Sequence, residues 1–271
     1  MRSVSETALW TAALRAHESQ LPDALFVDHL AAGLAGERGF ALRARYDNPG
    51  VSESIAVRTR YMDEVITKHP EFRQVVLLAA GLDTRSARMP WPDGTTLFEV
   101  DHADLIEWKE ERLVGLGARH RCDRRTVGID LTLDWPAALV EAGWDPEVPT
   151  LWIAEGLLYY LPEADARAFV KLAGSIVPAG STLTGDIVSH QFLICEFDFT
   201  QRGLKTLRED GSPWLFGTDE PEEFLTGGGW DPTEVKCVGD DGAHFGRWIS
   251  GPIPRDVLGI PRTFLFTATK S

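Results

Sequence analysis

The sequence predicts an α/β fold: a parallel sheet with helices covering both faces. Two observations carry that prediction. Four short apolar runs, Val75–Ala80, Thr96–Val100, Thr126–Ile129 and Thr150–Ala154, are separated by stretches of helical or turn composition, and a fifth run follows at Ser181–Ile187. Short β-rich runs alternating with helical segments are the pattern of βα units, whose crossover helices cover both faces of a parallel sheet. A chain of 271 residues is also long enough for one large α/β domain with its own core.

The elements follow in order. Residues 4–68 read as helical. Ala8, Leu9, Ala12, Ala13 and Ala16 recur at helical spacing, as do Leu25, Val27, Leu30, Ala31 and Leu34. A third helix carries Ile55, Val57, Tyr61, Met62, Val65 and Ile66, entered through the turn Asp47-Asn48-Pro49-Gly50. Between the strands, helices are expected at Asp104–Leu116, Trp135–Ala142 and Glu163–Ile176, the last stopping before Pro178. Residues 190–230 break the rhythm with Phe192, Phe197, Phe199, Trp214 and Phe216 among polar residues, and read as a partly helical cap, since disordered segments are poor in aromatics. Thr233–Val238 and Thr263–Thr269 supply two late strands, with Asp240-Asp241-Gly242 as a hairpin turn between them. The expected organisation is one domain: a helical lid (1–70), a ligand-binding core (71–189), a substrate cap (190–230) and C-terminal strands (231–271).

Composition narrows the function. With 27 Lys and Arg against 41 Asp and Glu the net charge is −14, which repels phosphate backbones and anionic lipid, so nucleic acid is not expected as a partner. The three cysteines, Cys122, Cys195 and Cys237, form neither a disulfide framework nor a metal motif, and no metal site is expected. No run approaches the ~20 apolar residues of a membrane span, and the first twenty residues do not read as a signal peptide. The expectation is a soluble, cytoplasmic protein with a small-molecule partner; the oligomeric state is left open.

In an open parallel sheet, ligands bind beyond the carboxyl ends of the strands. After the first run stands Ala79-Ala80-Gly81-Leu82-Asp83-Thr84-Arg85, where glycine permits a sharp turn and Asp83 or Thr84 suits a helix cap. Glu99 and Asp101 end the second run, with Asp101 twenty residues beyond Gly81, a position where a carboxylate accepts hydrogen bonds from ribose hydroxyls. Asp130-Leu131 follow the third run and Glu155-Gly156 the fourth. Each feature alone reads as a plain turn, cap or solvated charge; their order points to a nucleoside ligand. Dinucleotide enzymes favour three glycines around a pyrophosphate, whereas this loop has one, and Asp83 crowds the phosphate position. S-adenosylmethionine carries no phosphate, and its ammonium and sulfonium groups favour nearby carboxylates. It is the cofactor the strand ends fit better.

The same residues carry a resemblance. The segment 75–85, then Phe98-Glu99-Val100-Asp101 with Lys109 beyond, then Ala154-Glu155-Gly156-Leu157-Leu158-Tyr159-Tyr160-Leu161, resemble the leucine carboxyl methyltransferase family, a branch of the class I S-adenosylmethionine-dependent methyltransferases. The family's bacterial members include polyketide O-methyltransferases of the tetracenomycin type, a branch the chain resembles, and Val57-Arg58-Thr59-Arg60 resembles the family's arginine segment. The resemblance implies a doubly wound, mostly parallel seven-stranded sheet with an antiparallel strand near the end. It implies that Asp101 holds the ribose, Asp130 and Leu131 meet adenine, Ala79 and Gly81 line the methionine part, and Arg58 pairs with the cofactor carboxylate. Glu155 would face its ammonium or the reaction centre. The family often has glycine where this chain has Ala79, which narrows the approach to the cofactor.

The implied activity is O-methylation of a small molecule, foremost a carboxylate of a polyketide-type or aromatic compound. A phenol, with a pKa of about 10, would need a general base, for which His190 and His244 are candidates; Arg60 is a candidate to orient an acceptor carboxylate. Against these stand plainer readings: solvent-facing histidines, surface salt bridges for Arg58 and Arg60, core packing for Tyr159 and Tyr160, and cap packing for the aromatics of 190–230. Glu209-Asp210-Gly211 and the acids at 219–223 read as solvated turns or helix starts. A protein C-terminal carboxylate is the other acid substrate. An NAD-dependent oxidoreductase and a non-catalytic nucleotide-binding domain are the alternatives from other classes.

Overall fold

The computed structural model of the chain describes residues 3–46, 50–248 and 251–271. Seven strands form one sheet: β1 (Gln74–Leu78), β2 (Thr96–Asp101), β3 (Asp123–Gly128), β4 (Thr150–Ala154), β5 (Thr182–Val188), β6 (Asp231–Cys237) and β7 (Thr263–Thr269), in the order β3-β2-β1-β4-β5-β7-β6. The first five are parallel; β7 runs antiparallel between β5 and β6, pairing Thr182 with Thr269 through to Val188 with Thr263. Central strands β1 (QVVLL) and β4 (TLWIA) are buried at every position, as continuous apolar runs in a doubly covered sheet should be.

Ten α-helices flank it among the described residues: α1 (Ser3–Glu18), α2 (Ala31–Arg45), α3 (Val51–Lys68), α4 (Arg85–Arg88), α5 (Ala103–Gly115), α6 (Trp135–Glu141), α7 (Glu163–Ser175), α8 (His190–Ile194), α9 (Asp198–Glu209) and α10 (Pro221–Gly227). One core joins Trp135, Trp152, Phe169, Phe224 and Trp230 across the sheet and α6, α7 and α10. The other places Val57, Tyr61 and Met62 of α3 against Val75, Leu77, Leu151 and Ile153. A third cluster welds α1 and α2 to α5 through Leu9, Trp10, Leu14, Leu34, Leu105 and Leu113. No helix among the described residues is long and apolar enough to cross a membrane.

The seven-stranded sheet and its antiparallel strand match the expectation. Four local readings change. Leu25–Leu30 is not helical: Asp28 Oδ1 accepts the N–H groups of Leu30 and Ala31, so α2 begins at Ala31. The third strand starts at Asp123, because Arg124 and Arg125 lie on an edge strand where apolar character is not required. Strands β6 and β7 are not joined by a tight hairpin: residues 238–262 intervene, and Asp240 instead accepts the Cys237 N–H, turning the chain at the end of β6. Phe216 packs on Phe224 in the core rather than in a pocket wall. Of the turn Asp47-Asn48-Pro49-Gly50, the first three residues lie outside the described residues, and Gly50 precedes α3 in a left-handed conformation (φ 85°).

Candidate active site

A cavity of about 630 Å³ opens over the carboxyl ends of the parallel strands. Its floor is the loop after β1 with Asp101, Asp130 and Glu155, and its roof comes from α1, with Thr7, Ala8, Trp10, Thr11 and Arg15 among the lining residues. Residues of α1 thus line the cleft together with the strand ends. Arg15 of α1 donates to the Leu82 carbonyl at 2.6 Å and pairs with Asp28 at 3.0 Å, tying the roof to the floor.

The β1 loop turns in the left-handed region at both Ala79 (φ 52°) and Gly81 (φ 51°). Glycine adopts that conformation without strain, whereas an L-residue there costs about 1–2 kcal/mol. That explains why glycine suits position 79 better than alanine. Ala79→Gly is expected to be neutral to stabilising by up to about 1 kcal/mol, the strain relief being partly offset by a freer unfolded chain, while the β-branched Ala79→Val should destabilise. Urea denaturation checks the order; a tolerated valine would contradict it.

Asp101 is held by both oxygens: Oδ2 accepts from Gly81 N at 2.7 Å and Oδ1 from His102 N at 2.7 Å. Burial pushes its pKa up, with those two N–H groups opposing. A carboxylate has about four acceptor sites, so capacity remains for two hydroxyl donors. Asp130 lies nearby, its Oδ2 3.8 Å from His102 Nδ1, while its Oδ1 accepts from the N–H and hydroxyl of Thr132. Leu131 and Ile129 supply apolar lining beside it.

Across the cleft stands a charged cluster. Arg58 of α3 is buried and donates from Nε to Glu155 Oε1 (3.0 Å) and from Nη1 to the Tyr159 hydroxyl (2.9 Å) and Asp186 Oδ2 (3.3 Å). Its Nη2 makes no hydrogen bond to the described residues. Gly156 N donates to Asp186 Oδ1 at 2.7 Å, and a Cβ on Gly156 would stand 3.4 Å from both Arg58 terminal nitrogens. On the other side of Glu155, Arg85 Nη1 pairs with Oε2 at 2.8 Å, so the carboxylate is held between two arginines. Burial alone would raise the Glu155 pKa; Arg85 and Arg58 outweigh it and hold it below the ordinary value. For Asp186 burial wins, and its pKa is raised. Arg58, Arg85 and Arg88 face Asp63, Asp83, Glu155 and Asp186, leaving one negative charge in excess.

Asp83 belongs to this cluster, accepting from Arg85 N at 2.6 Å and pairing with the Arg85 guanidinium. Burial raises its pKa, but Arg85 and Arg88 pull it down to about 2. The folded chain therefore binds fewer protons than the unfolded one between about pH 4 and 2, so stability falls as pH falls through that window. Asp83 should contribute about 2 kcal/mol that is lost there. Asp83→Asn should flatten the acid limb of a denaturation-versus-pH series; an unchanged limb would remove Asp83 as its source.

Arg60 and His190 are not brought into the cavity. Two positions along α3 from Arg58, Arg60 points to the other side of the helix, pairs with Glu64 one turn on (3.1 Å) and donates to the Leu25 carbonyl (2.9 Å). His190 is exposed at the start of α8, where Ser189 caps the helix and accepts from Phe192 N at 3.1 Å. His244 accepts from Gly246 N and is not among the lining residues. Tyr159, Tyr160, Phe192, Phe197, Phe199 and Trp214 do line the cavity. Asp210 is no free solvated turn residue: it accepts from Arg45 and from the Tyr46 hydroxyl at 2.6 Å. Asp186, Arg85 and Arg262 are cavity residues that the sequence reading did not single out.

This sheet order, five parallel strands with β7 antiparallel between β5 and β6, is that of the class I methyltransferase fold. Residues 8–173 match the family model for leucine carboxyl methyltransferase, and the chain belongs to that family. It is 44% identical over 281 residues to an inferred S-adenosyl-L-methionine-dependent methyltransferase of Mycolicibacterium gilvum, covering 95% of this chain and 92% of that one. With a relative of the same description from Streptomyces avermitilis it shares 37% over 263 residues, covering 92% and 90%. The crystal structure of a DUF574 family protein from Streptomyces avermitilis superposes with a TM-score of 0.63 at 16% identity, covering 96% of this chain and 97% of that one. The chain is an S-adenosyl-L-methionine-dependent methyltransferase. The residues present fit that cofactor: Asp101 has acceptor capacity left, Arg58 Nη2 has donors left, and Glu155 is a carboxylate among the cavity-lining residues.

Proposed function

We propose that the enzyme O-methylates a carboxylate on a small, largely apolar aromatic acceptor of polyketide type. Bound S-adenosylmethionine supplies an electrophilic methyl group on a sulfonium. Asp101 holds its ribose, Asp130 and Leu131 its adenine, and Ala79 and Gly81 flank the methionine part. Arg58 would meet its carboxylate, and Glu155 would face its ammonium. The cluster's one excess negative charge suits that cationic cofactor.

One observation carries the acceptor reading. The cavity wall beyond the charged cluster is aromatic: Trp214 packs 4.5 Å from Tyr159 and 5.2 Å from Phe192, centroid to centroid, and Phe197 stacks on Phe199 at 5.9 Å. Such a wall binds apolar rings and excludes water from the transfer. Among the described residues His102 is the one histidine that lines the cavity, and it sits at the Asp101 end. A carboxylate acceptor is ionised near neutral pH and needs orientation rather than a base; a phenol needs proton removal. Residues 190–230 act as the substrate cap, and 1–70 as the lid.

The test compares 2-naphthoate with 2-naphthol as acceptors from pH 6 to 10. The naphthoate should be methylated at a rate nearly flat over that range. Turnover of naphthol alone, rising toward the phenol pKa, would replace the carboxylate by a phenol.

A further inference from the structure

We propose that Arg262 binds a second anionic group of the acceptor, one that is not methylated, so that the substrate carries two acidic groups and leaves as a monoester. This rests on the carboxylate reading above and specifies its substrate.

Four arginines line the cavity among the described residues: Arg15, Arg58, Arg85 and Arg262. The first three each hold a carboxylate, Asp28, Glu155 with Asp186, and Asp63 with Asp83 and Glu155, respectively. Arg262 pairs with no carboxylate of the described residues. It donates only to backbone carbonyls: Nη1 to Ile260 (3.1 Å), Nη2 to Pro254 (2.6 Å) and Val257 (3.0 Å). Carbonyls orient a guanidinium without cancelling its charge. A guanidinium has five N–H donors; three go to those carbonyls, Nε–H is sealed from solvent, and one Nη1–H is left to meet a ligand. Val238, Ile253, Ile260 and Pro261 line the same cavity, and Arg262 is half-buried, so its unpaired charge is screened less than a fully solvated one and attracts an anion.

Position separates this cation from the reaction centre. Arg262 stands where β7 begins, its backbone paired to Ser189 at the end of β5, while Glu155 and Arg58 gather between β4 and β1. Chemistry requires the separation. Methylation cancels the charge of the reacting carboxylate, so a guanidinium pressed on that group would hold the ground state more tightly than the transition state and slow the step. A cation that holds a different group of the acceptor binds it without that penalty, because the group it holds keeps its charge throughout.

Calorimetry on the chain saturated with S-adenosylhomocysteine tests this with two probes, 2-naphthoate and 2,6-naphthalenedicarboxylate. The dicarboxylate is expected to bind at least tenfold tighter. Arg262→Gln should erase that preference and leave 2-naphthoate affinity unchanged, while Arg262→Lys should keep most of it. Equal wild-type affinities, or a glutamine variant that weakens both probes alike as a mere loop strut would, overturns the assignment. Methylation of 2-naphthoate without a preference for the dicarboxylate leaves the proposed function standing and removes this inference alone. If neither probe binds or reacts, both fall.

Discussion

Arg85→Met is expected to destabilise the enzyme by about 3–5 kcal/mol, the range for removing one partner from a buried ionic group. The side chain is 2% exposed and joins Asp63 (2.7 Å), Asp83 and Glu155 (2.8 Å), with a further bond to the Thr59 carbonyl (3.3 Å). Methionine fills similar space but leaves those carboxylates facing one another with only Arg58 and Arg88 to compensate. Urea denaturation at neutral pH measures the loss. The deficit should shrink in acid, where protonation relieves the stranded carboxylates. A loss below about 1 kcal/mol would mean that solvent, rather than Arg85, balances the cluster.

Asp101→Ala is expected to weaken binding of S-adenosylmethionine at least tenfold, because it removes charge-assisted hydrogen bonds worth about 1.5–3 kcal/mol. The carboxylate also holds Gly81 N and His102 N, so the alanine variant frees the β1 loop as well. Asp101→Asn separates the two effects: its amide oxygen can still accept one of those N–H groups, but the charge is gone. Calorimetry should therefore rank wild type above asparagine and asparagine above alanine. Unchanged affinity in both variants would place the ribose elsewhere.

The fold was legible because its buried strands are short apolar runs at regular spacing, and because Gly81 and Asp101 mark the ends of the first two. Where the reading failed, local pattern met a longer-range constraint. Leu25–Leu30 has helical spacing, yet Asp28 captures the N–H groups that a continuing helix would use. Asp186 lies inside an apolar run, and its role depends on Arg58, 128 residues away in sequence. A lone acid in a strand gives no local sign of such a partner. Arg60 and His190 erred in the opposite direction. Each is adjacent in sequence to a cavity element, but helix geometry turns Arg60 away from Arg58, and the Ser189 cap starts a helix that leaves His190 in solvent. Arg262 gave no sequence signal, since its significance is the carboxylate it does not have.

The most direct test of the account is transfer of an isotope-labelled methyl group from S-adenosylmethionine to 2-naphthoate, followed by mild alkaline hydrolysis. The account predicts labelled methyl 2-naphthoate that releases its label as methanol on base treatment. Label that survives base, or that appears only when 2-naphthol replaces the acid, would contradict carboxylate methylation.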